Sequence, residues 1–138
     1  MGRTDPLPRD SLAGVHVLVV DDDADARQVF RTILQYCGAL VTTASSAREA
    51  LDVLARVVPD VLVVDIVLPG RNGYWLMGEI RKLPPERGGL VPALACTGYG
   101  EDHPPSRLAA AGFEKQLRKP IDPWELSHLV GALARPDA

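Results

Sequence analysis

The sequence predicts a doubly wound α/β fold, with a five-stranded parallel sheet and helices on both faces. Short β-branched runs alternate with helical segments, giving five strand-helix units along the chain. The runs that end at Val20 and Val64 are apolar throughout, as expected for strands buried on both faces. Parallel strands joined by helices take right-handed crossovers, which place the helices on both sides of the sheet.

The first two units occupy the N-terminal part of the chain. A strand over 15–20 precedes a helix that begins at Ala24. Apolar residues recur in that helix at helical spacing: Val29, Phe30, Ile33 and Leu34. A second strand over 40–43 leads to a helix capped by Ser46, with Glu49 three residues later completing a capping box.

Three further units follow the same alternation. Their strands are predicted over 61–64, 90–96 and 116–118. Their helices are predicted from about Gly73, over 105–111 and from Pro123. Asp122 is the expected N-cap of the last helix, because Pro at the first helical position commonly follows such a cap.

Composition indicates one globular domain. The chain has 138 residues, and 46% of them are hydrophobic. We predict a flexible lead-in over 1–14, the domain over 15–134 and a short tail over 135–138. Two isolated cysteines, Cys37 and Cys96, have no metal-ligand spacing and are expected to be reduced packing residues.

Charge and hydropathy exclude some partners. The formal net charge is -3 at pH 7, which does not favour binding to the phosphate backbone of nucleic acid. The apolar runs are too short to span a membrane, and the N-terminus is not an apolar signal segment. We therefore expect a soluble cytoplasmic protein with no direct nucleic-acid or membrane partner.

Chemically reactive side chains follow four of the five predicted strands. They are Asp21, Asp22, Asp65, Thr97 and Lys119. Because the carboxyl ends of parallel strands meet at one edge of the sheet, these side chains should share a cleft. Crowded carboxylates favour a divalent cation, and an all-oxygen set suits Mg²⁺. With Mg²⁺ and a lysine to neutralise the transferring oxygens, a carboxylate can attack a phosphoryl group.

Four sequence blocks carry a resemblance to a known family. They are Val17–Asp23, Pro59–Gly73, Pro92–Gly98 and Arg118–Pro120. In order and spacing they resemble the signature blocks of response-regulator receiver domains of bacterial two-component signalling. The resemblance implies a flavodoxin-like receiver fold and a phosphoryl-accepting signalling switch. It also implies a sensor histidine kinase or histidine phosphotransfer protein as donor, and no enzymatic activity beyond the chain's own phosphorylation and dephosphorylation.

The resemblance further implies roles for individual residues. The metal ligands would be Asp21, Asp22, Asp65 and the backbone carbonyl of Val67. Asp65 would be the phosphoacceptor, Thr97 the switch hydroxyl and Lys119 the phosphoryl-contacting lysine.

One position departs from the family pattern. Gln116 stands three residues before Lys119, where receiver domains usually carry an aromatic residue or a histidine. In the usual switch that ring moves inward as the hydroxyl moves toward the phosphoryl group. Gln116 therefore leaves an alternative open, a receiver-like interaction module that phosphorylation does not switch.

Two other functions fit the residues less well. A flavodoxin-like cofactor binder would need a phosphate cradle after the first strand, where three carboxylates would repel a phosphate. An aspartate-nucleophile phosphatase would resemble a pattern with a second Asp two residues after the nucleophile. Val67 occupies that position after Asp65.

Further side chains are expected to affect the lifetime of the phosphoryl group or its partners. Val67 and Tyr99 lie two residues beyond Asp65 and Thr97, where they would flank the approach of a hydrolytic water and slow its attack. Trp124 is predicted to lie opposite the inward stripe of the last helix, on a docking or homodimer surface.

Two histidine positions are expected to play no direct part in the chemistry. His128 is predicted to be exposed beside Trp124 in the last helix. Asp102 and His103 are predicted to lie in an exposed loop rather than to form a metal site, because two ligands make no site by themselves.

Overall fold

The fold is a single parallel sheet flanked by helices, as the sequence predicts. The computed structural model describes residues 6–98 and 100–136. The strands are β1 (His16–Val20), β2 (Leu40–Ala44), β3 (Val61–Asp65), β4 (Ala93–Thr97) and β5 (Lys115–Arg118). They are all parallel and lie in the order β2-β1-β3-β4-β5. The strand order reverses beside β1, so the ends of β1 and β3 border the crevice where such folds bind ligands.

Five α-helices connect and follow the strands. They are α1 (Ala24–Tyr36), α2 (Ala47–Leu54), α3 (Gly73–Arg81), α4 (Pro105–Ala111) and α5 (Pro123–Ala134), with a 3₁₀ turn over Pro85–Arg87. The Asp122 side chain caps α5 by accepting from the Trp124 amide at 2.9 Å. Within the described ranges, no helix has the length and apolar character needed to cross a membrane.

The predicted capping box of α2 is present in a shifted form. Ser46 Oγ accepts from the Glu49 amide at 3.1 Å, which satisfies one of the free amides of the first turn. The Glu49 carboxylate accepts from the Ser45 amide at 2.8 Å rather than from the cap residue itself. The helix start is fixed by both contacts.

Two apolar layers cover the two faces of the sheet. Alternate residues of each strand point to opposite faces, so Leu18 and Val20 pack toward α2, α3 and α4, while Val17 and Val19 pack toward α1 and α5. The four side chains are no more than 1% exposed. This two-sided burial explains why the strand sequences are continuously apolar rather than alternating.

The packed part of the chain extends beyond the limits predicted from composition. Leu12, in the segment predicted to be a lead-in, is 1% exposed and belongs to the apolar layer under α5. Its amide donates to the Cys37 carbonyl at 2.7 Å. The Arg135 guanidinium, in the predicted tail, donates to the carbonyls of Ser11 and Ala13. These contacts join residues 11–13 to the end of α5.

Two details of the predicted elements are wrong. β4 begins at Ala93 rather than at residue 90. The preceding segment is held outside the strand because the Arg81 guanidinium donates to the Gly89 and Val91 carbonyls at 3.0 and 2.8 Å. Pro92, with no N–H to donate, directly precedes the strand. Val29 is 45% exposed and lies outside the buried face of α1.

The burial of Leu12 predicts a measurable contribution to stability. Leu12→Ala should lower the free energy of unfolding by about 2–4 kcal/mol, because it removes a buried side chain and leaves a cavity. Leu90→Ala is the matched control, since Leu90 is 74% exposed, and should change it by less than about 0.5 kcal/mol. Urea unfolding measures both; equal effects would contradict the packing of residues 11–13.

Candidate functional site

Three carboxylates converge where β1 and β3 end. Asp21 directly follows β1 and is 1% exposed, and Asp65 is the last residue of β3 and is 7% exposed. Asp22 is exposed beside them. One oxygen atom from each of the three lies within 4.8 Å of the other two. The strand pairing brings them together, because β1 and β3 are neighbours in parallel register.

Asp21 is fixed by contacts to its side chain and its backbone. Its Oδ1 accepts from the Asp23 amide at 2.9 Å, which turns the chain from β1 into α1. Arg27, in the first turns of α1, donates from Nη1 to the Asp21 carbonyl at 2.9 Å. Sequence reasoning did not single out Arg27; its position four residues after the cap Asp23 is the only signal that it faces this turn.

Lys119 directly follows the edge strand β5 and contacts two of the carboxylates. Its Nζ donates to Asp21 Oδ2 at 2.9 Å and to Asp65 Oδ2 at 3.2 Å. Its amide donates to the Thr97 carbonyl at 2.8 Å, so its backbone is held against the end of β4. Partial burial alone would lower the pKa of Lys119, but the two carboxylates outweigh it and hold the pKa above its ordinary value.

Asp65 lies in an environment that disfavours its charge. Burial raises the pKa of the Asp65 carboxyl above its ordinary value, the Lys119 ammonium opposes that effect, and the Asp21 charge adds to it. The Val67 amide donates to Asp65 Oδ1 at 3.2 Å. One ammonium beside three carboxylates leaves excess negative charge, and the donor set is all oxygen. Both properties fit Mg²⁺, which binds through one or two carboxylates and keeps several waters.

Thr97 and Gln116 are linked by a direct hydrogen bond. Thr97 is the last residue of β4 and is 1% exposed. Gln116 is paired in register with Ala95, two residues before Thr97, so its side chain lies on the same face of the sheet as Thr97. Its Nε2 donates to Thr97 Oγ1 at 3.0 Å. The hydroxyl of Thr97 therefore accepts a hydrogen bond from the side-chain amide of Gln116.

Of the two residues predicted to flank the approach of the hydrolytic water, Val67 lies within the described residues and Tyr99 does not. The side chain of Val67 follows Asp65 in the loop before α3, and the residue is 56% exposed. An apolar group is thus present beside the carboxylates at the surface. Tyr99 lies outside the described residues, so its part in the prediction has no structural account.

His103 is less exposed than its loop position predicts. Tyr74 Oη lies 2.8 Å from His103 Nδ1, and Glu101 Oε1 lies 3.0 Å from His103 Nε2. The His103 side chain is only 12% exposed. The prediction of an exposed loop was wrong for this residue because Tyr74 on α3 holds it against the domain. The three side chains tie the loop after β4 to α3.

Trp124 lies beside the N-terminal segment. It is half-buried, and it lines a groove of about 410 Å³ with Pro8, Leu12 and His128. His128 is exposed, as the sequence predicts. Ser127, on the same helix, is buried, and its hydroxyl donates to the Trp124 carbonyl at 3.1 Å. The proposed docking or homodimer surface at Trp124 stays a prediction.

The sequence of the chain is similar to those of known proteins. An uncharacterized 14.6 kDa protein of Leptolyngbya boryana is 42% identical over 87% of this chain and 90% of its own length. The response regulator SaeR of Staphylococcus aureus is 31% identical over 80% of this chain and 46% of its own length. The chain thus spans less than half of SaeR.

Structural comparison gives the same family. The receiver domain of the Francisella response regulator 1452 superposes with a TM-score of 0.80 at 26% identity, covering 91% of this chain and 100% of that one. The response regulator receiver domain matches the sequence over residues 17–131. The chain therefore belongs to the response regulator receiver domain family, the family of two-component signalling that its strand-end residues resemble.

Proposed function

We propose that the chain is a signalling switch that accepts a phosphoryl group on Asp65. The observation that carries this proposal is the bridging ammonium of Lys119, 2.9 Å from Asp21 and 3.2 Å from Asp65. It supplies a cation beside the carboxylate that would become an acyl phosphate. Family membership supports the same chemistry.

The transfer uses Asp65 as a nucleophile. A carboxylate oxygen of Asp65 attacks the phosphorus of a phosphohistidine, the new O–P bond forms, and the P–N bond breaks with its electron pair left on the imidazole. Lys119, already directed at Asp65, can contact the transferred group, and Thr97 can donate to one of its oxygens. Asp21, Asp22 and Asp65, with the Val67 carbonyl, would hold Mg²⁺. When bound, Mg²⁺ neutralises negative charge on the phosphoryl oxygens.

Family membership supports the proposed donors, and the cytoplasmic setting stays a prediction. A sensor histidine kinase or a histidine phosphotransfer protein would supply the phosphoryl group in the cytoplasm. We expect the chain to catalyse only its own phosphorylation and dephosphorylation, without turning over a separate substrate. Its acidic balance supports a protein output partner rather than nucleic acid.

The alternative function, an interaction module without phosphorylation, is less well supported. Such a module would have no need for a lysine aimed at two buried carboxylates, an arrangement that is costly to bury unless it is fully paired. The absence of a ring at Gln116 remains the feature that favours it. The labelling test below decides whether Asp65 is phosphorylated at all, which it would not be in an unphosphorylated module.

The first test of the proposed function is direct labelling. With Mg²⁺ and acetyl phosphate, the protein should gain one acid-labile phosphoryl group, measured by intact mass. Asp65→Asn should abolish the gain because it removes the nucleophile. Asp52→Asn, at an exposed position of α2, is the control and should be labelled like the parent. Labelling of Asp65→Asn at the parent's level would refute the assignment.

Magnesium binding should be visible in stability without any phosphodonor. At about ten times its dissociation constant, Mg²⁺ should raise the free energy of unfolding by about 1.4 kcal/mol, because it binds only the folded carboxylate cluster. Asp22→Asn should reduce that increase, whereas Asp52→Asn should retain it. Urea unfolding with and without Mg²⁺ gives both values. An equal increase in Asp22→Asn and the parent would exclude Asp22 as a ligand.

The exposed side chain of Val67 predicts the lifetime of the phosphorylated state. An apolar group cannot orient a water by hydrogen bonding, so Val67→Asn should speed the loss of the phosphoryl group by about tenfold or less, equivalent to about 1.4 kcal/mol of barrier. Val58→Asn is the control, since Val58 is similarly exposed, at 43%, in the connection between α2 and β3. Decay is followed by intact mass at fixed Mg²⁺. Unchanged decay in Val67→Asn would remove Val67 from the control of hydrolysis.

A further inference from the structure

The hydrogen bond between Gln116 and Thr97 has a direction. The Gln116 Nε2 amide donates, and Thr97 Oγ1 accepts, at 3.0 Å. A threonine hydroxyl has one hydrogen to donate and two lone pairs to accept with. Accepting from Gln116 therefore leaves its hydrogen available for another acceptor.

Thr97 is buried at the end of β4, one residue beyond the partner of Asp65 in the neighbouring strand. The residue is 1% exposed, and it lies at the end of β4 beside β3, where Asp65 is paired in register with Cys96. Among residues 6–98 and 100–136, the Thr97 hydroxyl makes its hydrogen bond with Gln116. A phosphoryl group on Asp65 would bring anionic oxygens to this edge of the sheet.

We propose that Gln116 is a positioning residue that presets the Thr97 hydroxyl as a donor toward the phosphoryl group on Asp65. The inference rests on the proposed function and adds a residue to its machinery. By occupying the acceptor side of the hydroxyl, the amide selects the orientation in which the O–H points away from Gln116. The ordering is made before the phosphoryl group arrives, so it costs nothing at the moment of transfer.

The position of Gln116 allows the proposal to be tested without disturbing the core. Its side chain is half-buried and lines a groove of about 230 Å³ between α4 and β5, with Pro105, Leu108 and Phe113. A replacement of similar size can therefore be accommodated. Gln116→Glu keeps the shape but replaces the NH₂ donor by an acceptor, and Gln116→Met keeps the length but removes the hydrogen bond.

The experiment measures the rate of phosphorylation by acetyl phosphate with Mg²⁺, followed by intact mass. The parent should load fastest, Gln116→Met more slowly, and Gln116→Glu slowest, by about tenfold or more, because the introduced carboxylate captures the Thr97 hydrogen. Urea unfolding serves as the structural readout and should give the parent's stability for Gln116→Met within about 1 kcal/mol. Loading of Gln116→Glu at the parent's rate overturns the proposal.

A double-mutant cycle separates hydrogen-bond direction from simple charge repulsion. In a Thr97→Val background the hydroxyl is absent, so Gln116→Glu should have little further effect on the loading rate. An equal slowing in both backgrounds would show that the new charge acts directly on the phosphoryl group, and would overturn the positioning role. If the parent is phosphorylated and both Gln116 variants are phosphorylated at the parent's rate, this inference fails and the proposed function stands. A parent that takes no phosphoryl group overturns the proposed function and this inference with it.

Discussion

The contact on which the site depends is the ammonium of Lys119 between Asp21 and Asp65. It joins residues that are 98 and 54 positions apart in the chain, and it does so at an edge where water is largely excluded from both carboxylates. Two such charges at the ends of adjacent strands would repel each other if the lysine were absent. The strand order places Lys119, which follows β5, beside both carboxylates, and its positive charge offsets their repulsion in the cleft.

The composition of the cleft was predictable because backbone topology determines it. Once β1, β3, β4 and β5 are recognised as parallel, the residues after them must meet at one edge, whatever their side chains do. The side-chain contacts within the cleft were not predictable in the same way. The reach of Gln116 to Thr97 depends on strand register and on a rotamer, neither of which the hydrophobic pattern of β5 specifies.

Errors in the sequence-based description arose where tertiary contacts outweigh local composition. Leu12 lies in a stretch rich in proline and charge, yet α5 needs an apolar side chain to cover its buried face, and Leu12 provides it. His103 lies in the loop between β4 and α4, yet Tyr74 on α3 holds it against the domain. In both cases the partner is more than twenty residues distant in sequence, beyond the range over which composition and periodicity carry information.

The two buried cysteines make local opening of the fold measurable by thiol modification. Cys96 lies in β4, paired with Asp65, and burial raises the pKa of its thiol. Cys37 directly follows α1, and its carbonyl accepts from the Leu12 amide. Neither thiol can meet an alkylating reagent in the closed fold. The rate at which each becomes modified therefore reports how often its own region opens, one beside the cleft of Asp21 and Asp65 and one beneath the N-terminal segment.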